Sequence, residues 1–119
     1  MALHRAILEM GAGNDLHGGD YTKAAIRAVE DALHHSSLTF IRALKINKDT
    51  LQVDVTIGVQ KPEEVNIQRV KATLPVGQTS VQAVKGGLDI EDKIAGDVAV
   101  IASAAVEVRI ERYNFPLGF

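Results

Sequence analysis

The chain has 119 residues, 46% of them hydrophobic and 24% charged, the usage of an ordinary globular domain and not of a disordered segment. Lys and Arg number 13 against 15 Asp and Glu, a formal charge of −2, which excludes the strongly basic surface that tracking a nucleic-acid backbone requires. There is no Cys, so disulfides and thiolate metal sites are excluded as well.

Residues 1–8 carry too short an apolar run for a secretory signal, and Glu9 interrupts it. The longest nearly uncharged run, 98–106, is too short and too rich in Ala and Ser to cross a bilayer. A cytoplasmic protein is expected, with neither a membrane nor a nucleic acid as partner.

The first predicted element is a strand over residues 3–10, with Ala6, Leu8 and Met10 on one face and Arg5, Ile7 and Glu9 on the other. Residues 11–19 then hold four glycines and read as a loop. A helix is predicted from about Tyr21 to His34, with Asp20 as N-cap and Lys23 where a capping box would place Glu. Ala25, Ile26, Val29, Ala32 and Leu33 repeat at helical spacing, and the alanines permit close approach to a sheet. Lys23, Arg27, Glu30, Asp31 and His34 make the polar side, and His34 and His35 meet the negative end of the helix dipole. Residues 39–44 fit a short strand or a turn of helix, and 47–50 a turn.

The clearest strand spans 51–59, where Leu51, Val53, Val55, Ile57 and Val59 alternate with polar residues or Gly. Pro62 suits the first turn of a second helix, with Glu63 and Glu64 at its positive end and Ile67, Val70 and Leu74 on one face before Pro75. A strand over 69–74 is the competing reading. Residues 79–85 read as a strand stopped by Gly86 and Gly87, and 89–97 as an acidic loop. The last strand covers 98–112, with Val106, Val108 and Ile110 inward and Glu107, Arg109 and Glu111 outward; its length predicts a bulge or bend near 102–105.

The order β-α-β-α-β-β over residues 1–112 predicts a single α+β domain, one mixed sheet with two helices on one face. Two helices cannot cover both faces of a sheet, so a homo-oligomer is expected. The apolar tail, 113–119, holds three of the five aromatic residues and is expected to pack at a subunit interface.

Chemistry concentrates in residues 11–20, where Gly11, Gly13, Gly18, Asp15, His17 and Asp20 precede a helix start. Anion binding is one reading: glycines allow close approach and free N–H groups attract phosphate or carboxylate, with Lys23 and Arg27 behind them. Leu16 stands where a dinucleotide GxGxxG loop has its third Gly, so that fingerprint fails. A divalent metal on Asp15 and His17 is a second reading, lacking a third ligand unless Asp20 or another chain supplies it. Acid–base catalysis is the third, with Asp15 orienting His17. In the structural alternative Asp15 and Asp20 cap backbone amides, His17 satisfies a buried carbonyl, and Lys23 and Arg27 form ion pairs on a solvated face.

The string from Gly11 to Gly18 resembles GxGxDxHG, the signature of an uncharacterised family of small bacterial and plant proteins, and the likeness extends into the following helix. The first third of the chain is also similar to methylerythritol cyclodiphosphate synthase, which opens with a strand and GxGxDxH. That resemblance implies a zinc ion on Asp15 and His17. It puts Arg27, which cannot ligate a metal, where the enzyme has its third ligand, and Arg27 would then supply positive charge near Asp15. The synthase and the bacterial chorismate mutases share a β-α-β-α-β-β unit that forms trimers with sites between subunits. The resemblance therefore implies a trimer or a multiple of it, but not the cyclase reaction.

Overall fold

Val53, Val55, Ile57 and Val59 are all buried along β2 (Gln52–Val59), as strict alternation requires of a strand with one packed face. The same logic holds for β5 (Asp97–Glu111), where every even residue from Val100 to Ile110 turns into the core: Val100, Ala102, Ala104, Val106, Val108 and Ile110. The computed structural model describes residues 3–34, 50–74 and 78–111. The expected elements at 39–44 and 47–49, the tail 113–119, His35 and Pro75 lie outside the described residues.

The chain is α+β. One mixed sheet of five strands runs β1-β5-β2-β3, with β4 paired to β5. β1 (Leu3–Asp15) and β2 flank β5 and are antiparallel to it; β3 (Gln78–Lys85) is parallel to β2; β4 (Leu88–Asp92) forms a hairpin with β5. The parallel pair needs a crossover. A 3-10 turn at Pro62–Glu64 and α2 (Ile67–Lys71) supply it. α1 (Tyr21–Leu33) lies across β1, β5 and β2, and α2 packs on β3 and α1, so both helices share one face of the sheet.

Four local expectations are corrected. The first strand does not stop at Met10 but runs to Asp15, because Gly11 and Gly13 keep extended geometry and stay in register with Ala104 and Ala102. Its alternation also breaks: a register shift between Arg5 and Ile7 puts Arg5 on the face of Leu8 and Met10 and sends Ile7 into the core. The bulge expected at 102–105 is absent. β5 has ladder partners on both sides there, β1 on one and β2 on the other, and nothing forces an interruption. The stretch read as an acidic loop holds β4, joined to β5 by a turn in which Asp92 Oδ1 accepts from the amides of Ile94 and Ala95.

The second helix is split. Val65 is extended, and Asn66 opens a new N-cap by accepting from Arg69 N at 3.2 Å, so the Pro62 turn and α2 are separate pieces. No strand forms over 69–74.

Candidate functional site

The loop that matters is shorter than expected, Leu16 to Asp20, between the end of β1 and the start of α1. Gly11 and Gly13 are not part of it. They lie under α1: a Cβ on Gly13 would sit 2.6 Å from Ala24 O, and one on Gly11 would press on the backbone of Ala28 and Ala32. Ala24, Ala28 and Ala32 line the helix at four-residue spacing over these two glycines. The GxG pair is thus the seat of a helix on a strand. In the loop itself Gly18 (φ 92°) and Gly19 (φ 63°) take left-handed geometry, which is where glycine is required.

Asp15 is buried at the end of β1. Its Oδ2 accepts from Asp20 N at 2.9 Å, and its Oδ1 lies 3.9 Å from Lys23 Nζ and 3.8 Å from an Arg27 guanidinium nitrogen. Asp20 caps α1 by accepting from Lys23 N at 3.0 Å. Arg27 donates to Asn14 O at 2.7 Å, and Asp31 accepts from Ala12 N at 2.9 Å. The positive side chains on α1 therefore turn to the outer margin of β1 and to Asp15.

His17 is not oriented by Asp15. Its Nδ1 meets Asp97 Oδ2 at 2.9 Å, and Asp97 Oδ1 accepts from Gly18 N at 3.1 Å and Val98 N at 2.8 Å. The Gly18 amide, the His17 ring and the Val98 amide hold the Asp97 carboxyl below the usual carboxylate range. Its contribution to stability is then fully present above the ordinary Asp pKa of about 3.9 and is lost as pH falls through the lowered folded value. Replacing Asp97 with Asn is expected to flatten this acid limb, read by urea unfolding at stepwise lower pH. The imidazole is 87% exposed, so its outer nitrogen faces solvent. Beside it is an open cavity of about 430 Å³ lined by Gly18, Glu91, Asp92, Lys93, Gly96, Asp97 and Val98.

A metal on Asp15 and His17 does not fit this arrangement. Asp15 faces two cations and a backbone amide, and His17 turns to a different carboxylate. Among the described residues no three His, Asp or Glu side chains gather as a metal centre would need.

Two carboxylates with partners here were not singled out from the sequence. Sequence pattern alone puts Asp97 at the end of a loop. Asp89 accepts a hydrogen bond from the Tyr21 hydroxyl, and its other oxygen, Oδ1, is buried without a hydrogen-bond partner among the described residues. Both pairings join positions 80 and 68 residues apart, and no local motif marks them.

The fold and this loop define a small α+β protein with a helix seated on glycines of its first strand. The chain belongs to the conserved hypothetical protein family Lin0512_fam, whose profile matches residues 5–108. It is similar to an FtsZ-like protein of unknown function from Nostoc punctiforme, known from a crystal structure. The two are 34% identical with a TM-score of 0.79, over 94% of this chain and 99% of that one. No curated protein matches the sequence. No helix among the described residues is long and apolar enough to cross a membrane.

Proposed function

We propose that this chain is a non-catalytic assembly protein, and that the Leu16–Asp20 loop is a structural joint and not a ligand cradle. The observation carrying this reading is that the loop's anion-binding groups are already occupied from within the chain. Asp15 takes the Asp20 amide, Asp20 the Lys23 amide, and Asp97 the Gly18 amide. Three amides of the loop and of the first turn of α1 that could face an anion are thereby taken by carboxylates of the chain itself. Arg27 and Lys23 are engaged with Asp15, which supports their role as ion-pair partners in the joint.

The test is sedimentation velocity of the full chain together with a thermal-shift screen of phosphate and small carboxylates. Self-association at micromolar concentration with no anion-induced shift is expected. A chain that stays monomeric and gains several degrees with an anion would replace this reading by the ligand-binding one.

A second reading rests on the His17–Asp97 pair beside the cavity. Asp97 fixes Nδ1 of the ring and leaves the outer nitrogen available for proton transfer or ligand contact. Three carboxylates and one Lys among the lining residues favour a cationic ligand over the anionic one expected from the sequence. His17→Ala, a substitution at an exposed side chain, would then abolish binding of small amines in a calorimetric titration while circular dichroism shows the fold kept.

A further inference from the structure

We draw no further inference here: the strongest candidate, the side-chain cluster at the start of α1 in which Asp89 of β4 meets the Tyr21 hydroxyl with Glu63 and Glu64 nearby, is an acidic cluster whose one unpartnered oxygen belongs to a half-buried side chain, and nothing among the described residues points to a ligand on it.

Discussion

Gly13→Ala is expected to destabilise the protein by about 3 kcal/mol or more, lowering the melting temperature by roughly 10 °C. The added methyl has no room: it would lie 2.6 Å from Ala24 O and from the carbonyl carbon of Arg27, with the Ala28 amide closer still. These are backbone atoms of α1, so relief requires lifting the helix off the strand and opening the contacts of Ala24, Ala28 and Ala32 with the sheet. Gly11→Ala is expected to behave the same way against Ala28 and Ala32. Gly96→Ala is the informative contrast. Gly96 has φ 68° and nothing within 4 Å, so its substitution carries backbone strain without a clash and is expected to cost about 1 kcal/mol. Urea unfolding of the three variants separates packing from conformation. Equal losses at all three positions would mean that α1 is not seated on β1 as described.

Tyr21→Phe is expected to destabilise by about 2 kcal/mol at neutral pH and to remove a fall in stability at alkaline pH. Tyr21 is buried at the start of α1 and donates its hydroxyl to Asp89 Oδ2. Without the hydroxyl, neither Asp89 oxygen has a hydrogen-bond partner among the described residues, since Oδ1 already lacks one. A half-buried carboxylate with one oxygen sealed from solvent and no bond on either is more costly than the bond it lost. Leu at position 89 in the Tyr21→Phe background is therefore expected to recover most of the loss. Burial first, then the bond to Asp89 and its charge, then Glu64 and Glu63, push the Tyr21 hydroxyl from 10.0 up to about 12. A folded value above the unfolded one means the contribution is complete below pH 10 and disappears as pH rises toward 12. Unfolding measured at steps across that window should show the fall in the native chain and not in the Phe variant.

What the sequence disclosed was local. The alternation of Val53, Val55, Ile57 and Val59 has one structural meaning, and the strand is there. Asp20 before a run of alanines reads as a helix cap, and its carboxylate caps Lys23 N. Gly11 and Gly13 misled because glycine marks a loop and a close backbone approach with the same symbol; only the third dimension distinguishes them. β4 escaped because its inward residue is Asp89, whose half-buried place is explained by Tyr21 and by nothing nearby in the chain. The two-part second helix escaped because Ile67, Val70 and Leu74 share helical spacing whether or not Val65 is extended before them. At the site, Asp15, Asp20, Lys23 and Arg27 do converge, through α1 folding back over the end of β1. His17 leaves that group because Asp97, the first residue of β5, arrives beside the loop when β5 pairs with β1.

The bonds from Ala12 N to Asp31 and from Arg27 to Asn14 O have a meaning for growth. Both backbone groups point away from β5, along the free margin of β1, where an incoming strand would dock; the neighbouring stretch of that margin is kinked by the shift between Arg5 and Ile7. Head-to-tail polymerisation by strand addition needs two receptive borders on every molecule, and here one is stoppered by the protein's own helix. A chain of this design is shielded along that border from running on into a fibre.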